Sequence, residues 1–154
     1  MYPVDIRQIG PLQLASLRVT GPYDQINQGF DRLVQWADAR GLIAPGTRYI
    51  GLFHDDPAEV PAAQLRAEAC CTVPPGTQGD ASVGIRELPA TRAAVLRFQG
   101  HYEGLPQAYA WLFETWLPQQ GLQPAGATVA EEYLNDCNEL PPEQWLTEIM
   151  VPLA

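Results

Sequence analysis

Glu148 is the residue whose type and surroundings point most directly to chemistry. It lies in the strand-like run WLTEIMVPL, residues 145–153, between Leu146 and Met150 on one face of the predicted strand. The opposite face is also apolar, so a carboxylate here would lose much of its hydration. Desolvation raises the pKa of a carboxyl group and favours a cationic or hydrogen-bond-donating ligand. Glu148 is therefore a candidate ligand-facing carboxylate, without a partner until a ligand binds.

A structural role is the alternative for this glutamate. Buried carboxylates without partners are rare, so Glu148 would instead reach the surface or pair with Arg92 or Arg97. Glu68 holds the matching position in the first half of the chain, and Arg66 lies two residues away on the same strand face. An Arg66–Glu68 ion pair would explain that carboxylate without any ligand. On the residues alone, the structural role is favoured.

Aromatic side chains form the second group that could bind a ligand, because rings hold flat molecules and cations. Phe30 and Tyr109 fit the apolar stripes of two predicted helices and are assigned to the core. Trp111 lies off its stripe, and either covers the surface or lines a groove. Tyr102 and Tyr133 border predicted elements and could face the same groove. The candidate ligand-binding residues are Glu148, Tyr133, Trp111, Tyr102, Glu68, Phe53 and Trp36.

Charge and composition exclude several classes of protein. Nine basic residues stand against eighteen acidic ones, and the net charge of −9 disfavours direct binding to nucleic acid. No apolar run approaches the roughly 20 residues of a membrane span, and the first ten residues lack the pattern of a secretory signal. We therefore expect a cytoplasmic protein that binds neither nucleic acid nor membrane.

Metal and cofactor chemistry is also disfavoured by the sequence. The two histidines, His54 and His101, are far apart, and no phosphate loop, dinucleotide fingerprint or nucleophile elbow is present. The three cysteines, an adjacent pair at 70–71 and a third at 137, suit free thiols better than disulfides or a zinc site. The sequence predicts no metal and no cofactor.

An internal repeat organises the chain. Residues 6–23 and 85–102 match at an offset of 79, with seven of eighteen positions identical. Beyond the helix that follows, the offset becomes 80, as in the pairs Gly41/Gly121 and Glu68/Glu148, so one residue is inserted near the end of the second helix. Two copies of this length indicate a duplicated module, with repeat 1 at about 1–74 and repeat 2 at about 83–154.

Each copy is predicted to form a β-α-β-β module. Apolar residues recur at helical spacing in 24–39 and 104–118, and a glycine follows each helix. The predicted strands are 12–20, 48–54 and 64–73 in the first copy, and 91–98, 127–134 and 144–151 in the second. Segregated strands and helices indicate an α+β fold with mostly antiparallel sheets. The link at 74–82 is predicted to be an exposed or flexible loop, and a ligand cleft is expected between the modules.

Four stretches resemble a known family. VTGPYDQINQGFDRLVQWADARGL, GLFHDDPAEVPAAQLRAEACCTVP, QGHYEGLPQAYAWLFETWLP and EEYLNDCNELPPEQWLTEIMVPL occur in the order seen in the GyrI-like small-molecule-binding family. That family includes SbmC-type gyrase inhibitory proteins and the effector-binding domains of AraC-type and MerR-type transcription activators. The resemblance implies two β-α-β-β modules and an aromatic-lined cleft between them.

The resemblance also implies site residues. The family's acidic residue on a central strand corresponds to Glu148, and its aromatic in YLND corresponds to Tyr133; Trp111 and Tyr102 are weaker correspondences. The sequence departs from the family at Cys137–Asn138, at Ala130 and at Trp145. These changes put the ligand preference, rather than the fold, in question.

Three functions follow from these observations. The first is a stand-alone module that binds hydrophobic, aromatic or cationic compounds for sensing or sequestration, with Glu148 selecting for charge. The second is a hydrolase of reactive cyclopropane-containing compounds, with Glu148 as the general base. The third is an acidic protein that modulates DNA gyrase, or serves a transcription regulator, through protein contacts.

Overall fold

The computed structural model describes residues 2–154, which form eight strands and two longer helical stretches, with short 3-10 helices in several of the connecting segments. The first helix, α1, spans Ile26–Ala39; the second contains α2 at Leu105–Trp111, a π-helical segment at Leu112–Trp116, and α3 at Leu117–Gln119. The strands are β1 (Val4–Ile9), β2 (Leu12–Thr20), β3 (Tyr49–Phe53), β4 (Arg66–Thr72), β5 (Gly84–Leu88), β6 (Thr91–Gln99), β7 (Val129–Tyr133) and β8 (Leu146–Pro152).

The chain divides into two compact units. Unit 1 contains the described residues up to Ile9 together with Thr91–Ala154, and its strand order is β1-β6-β8-β7. Unit 2 is Gly10–Ala90, and its strand order is β5-β2-β4-β3. All pairings within the two units are antiparallel. The predicted α+β class and antiparallel pairing are confirmed.

Each unit has its own apolar core between its helical segment and one face of its strands. In unit 1 the core includes Leu96, Leu112 and Ile149. In unit 2 the corresponding set includes Leu17 and Leu33. Alternation along the strands therefore assigns every second side chain to this helix face. No helix within residues 2–154 is long and apolar enough to cross a membrane.

The compact units do not coincide with the two sequence repeats. Two strands, β1 and β5, are absent from the predicted modules, because their sequences VDIRQI and GIREL mix apolar with charged side chains and most of their residues are exposed. Strand β1 begins the first repeat, yet it pairs with β6 of the second. Strand β5 begins the second repeat and pairs with β2 of the first. The first strand of each repeat thus completes the sheet of the other.

Pairing registers correspond between the units. Arg18 faces Glu68 in unit 2, and Arg97 faces Glu148 in unit 1. These partners are related by the same offsets, 79 and 80, that the sequence repeat gives. The change of offset falls within the π-helical segment Leu112–Trp116. A π-bulge holds one extra residue in a helical turn, which accounts for the inserted residue.

The start of β2 depends on a glycine with a left-handed backbone. Gly10 has φ 70°, and a Cβ there would lie 2.7 Å from the carbonyl oxygens of Leu88 and Pro89. Gly41, with φ 67°, ends α1 in open space. A side chain at either position would be strained by the positive φ, but only at residue 10 would it also clash with neighbouring backbone.

We expect Gly10→Ala to lower the free energy of unfolding by about 2–3 kcal/mol, because a positive φ and a backbone clash act together. Gly41→Ala, the matched control, should cost only about 1 kcal/mol, from the dihedral alone. Denaturant unfolding of both variants measures the difference. Equal losses would mean that the contact with residues 88–89 contributes nothing.

Candidate functional site

Glu148 lies in β8 on the face turned away from the helix of unit 1, since its neighbour Ile149 belongs to the core on the helix face. The residue is 4% exposed. Arg7 of β1 donates to its Oε1 at 2.6 Å, and Arg97 of β6 donates to its Oε2 at 3.3 Å. The expectation of a carboxylate without an internal partner is therefore wrong. Arg97 is among the partners that the sequence predicts for Glu148, whereas Arg7 is not.

Glu68 is likewise satisfied inside unit 2. Ser16 donates to its Oε1 at 2.5 Å, while Arg86 at 2.6 Å and a ring nitrogen of His54 at 2.6 Å contact its Oε2. Burial alone would raise the pKa of Glu68, but the bonds from Ser16, His54 and Arg86 outweigh it and lower the pKa. The predicted pairing with Arg66 is wrong, because that arginine binds Asp55 at 2.8 Å.

The same ion pair thus occurs in both units. Arg7 and Arg86 lie in β1 and β5, the first strands in the order of their units, and each reaches across one strand to a buried glutamate. Buried charges are tolerated when such partners are present. We interpret Arg7–Glu148 and Arg86–Glu68 as structural clamps that fix β1 and β5.

A third buried glutamate, Glu131, has a different environment. It lies in β7 opposite Ile149, so its side chain enters the helix face of unit 1. It is 7% exposed. Tyr133 donates to its Oε1 at 2.9 Å, and the Tyr109 hydroxyl from α2 donates to its Oε2. Among residues 2–154, no basic side chain pairs with Glu131.

Burial therefore dominates the ionisation of this cluster. Desolvation raises the pKa of Glu131, and the two tyrosine hydrogen bonds only partly oppose it. Burial, followed by the negative charge of Glu131, raises the pKa of Tyr133 well above its usual value. A carboxyl group that is buried without a basic partner is either protonated or stabilised by a bound cation.

A series of aromatic rings in mutual contact extends from Tyr133, which binds Glu131, to the half-exposed His101. Tyr102 lies 6.0 Å from Tyr133 between ring centroids and 4.6 Å from Trp145. His101, whose side chain is half-exposed, follows at 5.2 Å from Trp145. Rings so arranged can stack on a planar compound or hold a cation against their faces.

One further polar group lies beside these residues. Thr147 of β8 is opposite Tyr133 and is fully buried. Its Oγ1 has no hydrogen-bond partner among the described residues. We refer to Glu131, Tyr109, Tyr133, Tyr102 and Thr147 as the Glu131 site.

Unit 2 provides an internal comparison for the Glu131 site. Gly51 faces Ala69 there as Glu131 faces Ile149, and Phe53 faces Ala67 as Tyr133 faces Thr147. At the repeat offset, Tyr109 corresponds to Phe30. Four polar residues of unit 1 thus replace an apolar set in unit 2, namely Phe30, Gly51, Phe53 and Ala67. The fold does not require the polar set.

The remaining predicted site residues lie elsewhere. Trp111 packs against Tyr2 at 5.3 Å, at the edge of the unit 1 core. Phe53 is buried in unit 2, edge-on to Tyr23 at 4.9 Å.

Trp36 belongs to a polar contact on α1. Its indole nitrogen donates to Asp80 at 2.8 Å, and Arg40 lies over its ring. Asp80 also accepts from Arg40 at 3.0 Å, which fixes the predicted exposed link to α1. Of the residues predicted from sequence, the structure therefore brings together Tyr102 and Tyr133.

Sequence reasoning missed Glu131, Tyr109 and Thr147. Glu131 lies beside Glu132 in the run AEEY, and Tyr109 fits the apolar stripe of its helix, so no local pattern distinguishes either residue as a site residue. A signal was present, because each aligns with an apolar residue in the other repeat.

Comparison with known proteins gives the family. The model of the GyrI-like small molecule binding domain matches residues 2–154. The chain belongs to this family.

Its relatives include the DNA gyrase inhibitor of Serratia proteamaculans (strain 568), 32% identical over 130 residues that cover 81% of this chain and 82% of that protein. Among solved structures, the EcmrR C-terminal domain matches with a TM-score of 0.86 and 21% identity, covering 100% of this chain and 98% of that one. SAV2435, solved bound to tetraphenylphosphonium, has a TM-score of 0.66 and 17% identity, covering 99% and 94%. These structures share the fold of the GyrI-like chain.

We expect Glu148→Ala to lower the free energy of unfolding by about 1.5–3 kcal/mol, because two charge-assisted hydrogen bonds are lost from a buried position. Glu87→Ala, at an exposed position of β5, is the control and should change it by less than about 0.5 kcal/mol. Urea denaturation measures both. A neutral Glu148→Ala result would refute the clamp.

Proposed function

We propose that this chain is a small-molecule-binding protein that takes up lipophilic organic cations at the Glu131 site. The observation that carries the proposal is a carboxylate 7% exposed whose oxygens accept from tyrosine hydroxyls and, among residues 2–154, from no basic side chain. The family and the tetraphenylphosphonium complex of SAV2435 support it.

Two kinds of group would contribute to binding of a lipophilic cation, namely a carboxylate and aromatic rings. Glu131 supplies negative charge in a poorly hydrated setting, where its attraction for a cation is little weakened by water. Tyr102, Tyr133 and Trp145 supply apolar area and ring faces. A ligand reaches so buried a carboxylate only if side chains around it move aside. Sensing for a regulator and sequestration of a toxic compound both require this binding step.

The assignment of Glu131 rather than Glu148 has a physical basis. Glu148 already has Arg7 and Arg97, so a cation would have to displace an arginine to gain its charge. Glu131 has no such competitor among the described residues. The hydrolase proposed for Glu148 as general base meets the same obstacle.

A titration with tetraphenylphosphonium tests the proposal directly. We expect saturable quenching of tryptophan fluorescence, since Trp145 contacts Tyr102. Glu131→Gln should weaken affinity by about tenfold or more, because a charge-assisted contact is lost. The neutral compound triphenylphosphine oxide should bind both proteins equally.

Glu148→Gln is the matched control in this titration. It neutralises another buried carboxylate of unit 1 while leaving an acceptor for Arg7. If Glu148→Gln lost binding while Glu131→Gln bound with unchanged affinity, the ligand-binding carboxylate would be Glu148. Compound broken down by wild type but not by Glu131→Gln would instead assign a hydrolase.

The pH dependence is a further expected result. Because the pKa of Glu131 is raised in the folded protein, its contribution to stability is present at low pH and is lost as pH rises through that pKa. Wild type should therefore lose stability relative to Glu131→Gln as the pH rises above the ordinary pKa range of a glutamate. Affinity for tetraphenylphosphonium should rise over the same interval. The lowered pKa of Glu68 acts in both proteins and cancels in the comparison.

A contact with DNA gyrase is a second candidate, favoured by the name of the Serratia relative and suited to a basic partner by the net charge of −9. A supercoiling assay with added protein tests it. Inhibition that falls with salt and persists in Glu131→Gln would place this activity outside the Glu131 site. No inhibition at any salt concentration would exclude it.

A further inference from the structure

Thr147 is a buried polar residue that the contacts within the chain leave unsatisfied. It lies between Phe98 of β6 and Tyr133 of β7, and its exposed fraction is 0%. Its Oγ1 has no hydrogen-bond partner among residues 2–154. A hydroxyl buried in this way costs free energy, so it persists only where something else uses it.

The position of Thr147 links it to Glu131. Both side chains lie on the helix face of unit 1, and Thr147 is one diagonal step from Glu131 across the β7–β8 pair. Such neighbours are separated by roughly 7–8 Å between Cα atoms. Ala67 occupies the equivalent position in unit 2, so the fold is built there without a hydroxyl.

We propose that Thr147 is a ligand-binding residue of the Glu131 site, and that the site prefers organic cations bearing N–H groups, such as protonated primary amines, over cations without them. This inference rests on the proposed function and adds the ligand class.

Hydrogen-bond accounting supports the preference. Each oxygen of a carboxylate can accept two hydrogen bonds, and the bonds from Tyr109 and Tyr133 use one on each oxygen of Glu131. An ammonium group with several N–H donors can bond to Glu131 and to Thr147 Oγ1 together. A quaternary ammonium or phosphonium ion brings the charge but no donor, and it leaves Thr147 without a partner.

Two compounds that differ only at nitrogen provide the test. Protonated 3,3-diphenylpropylamine and its N,N,N-trimethyl analogue are titrated by calorimetry near neutral pH, where both are cations. Wild type should bind the primary amine about tenfold more tightly than the trimethyl compound. Thr147→Val keeps the side-chain shape and removes the hydroxyl. It should weaken binding of the amine alone and reduce the ratio to the part that the N–H bond to Glu131 supplies.

Thr147→Ser retains the hydroxyl and is expected to keep the preference. Equal affinities in wild type, or a preference of undiminished size in Thr147→Val, would overturn the inference. Thermal unfolding without ligand adds a second readout, since removal of an unsatisfied hydroxyl should leave stability unchanged or raise it. A marked loss in Thr147→Val would show instead that this hydroxyl supports the fold. Should that variant not fold, Thr147→Ala, which copies Ala67 of unit 2, takes its place.

The trimethyl compound separates this inference from the proposed function. Binding in wild type that is lost in Glu131→Gln supports the cation site whatever the amine preference. Absence of binding by both compounds would overturn this inference, and absence of binding by tetraphenylphosphonium as well would overturn the proposed function.

Discussion

A carboxylate buried on a strand must be matched by a cation or by donors, or else give up its charge, and this constraint shapes both units of the chain. Glu148 and Glu68 are matched by arginines from β1 and β5, the strands that each repeat contributes to the other unit. Arg7 and Glu148 are 141 residues apart in the sequence, so their pair joins the two ends of unit 1, whereas Arg86 and Glu68 are only 18 residues apart and join consecutive strands. Glu131 is matched differently, because among residues 2–154 its oxygens accept hydrogen bonds from the hydroxyls of Tyr109 and Tyr133 instead of pairing with a basic side chain.

The internal comparison separates architecture from function. Where both units need a feature, both have it: an arginine–glutamate clamp, the same strand order and the same register. Where only one unit has a feature, the fold does not explain it. Glu131, Tyr109 and Thr147 meet this second description, as does the π-helical segment that follows α2. Such bulges occur often near functional sites, where the extra residue is retained despite its cost.

Much of the fold could be predicted from the sequence because its signals are local. Helical periodicity and a terminal glycine located α1, and apolar alternation located β2 and β8 within a residue or two. The contacts of Glu148 could not be predicted in this way, since Arg7 is 141 residues away and lies in a mostly exposed strand in which only Ile9 is buried. The ion-pair partner of Glu148 depends on which strands are neighbours in the sheet. Local sequence patterns do not contain this information. The Glu131 site was within reach, but only by asking where the repeats differ rather than where they agree.

The central claim is that Glu131, not Glu148, is the carboxylate that meets the ligand. Carbon-13 NMR of glutamate side-chain carboxyl groups, followed against pH with and without tetraphenylphosphonium, tests it most directly. The account predicts that the pKa of Glu131 lies above the ordinary glutamate range in the free protein and falls when the cation binds. It also predicts that the carboxyl carbon signal of Glu148, observed at a fixed pH, does not move when the cation is added. A ligand-dependent shift at Glu148 with none at Glu131 would contradict the account.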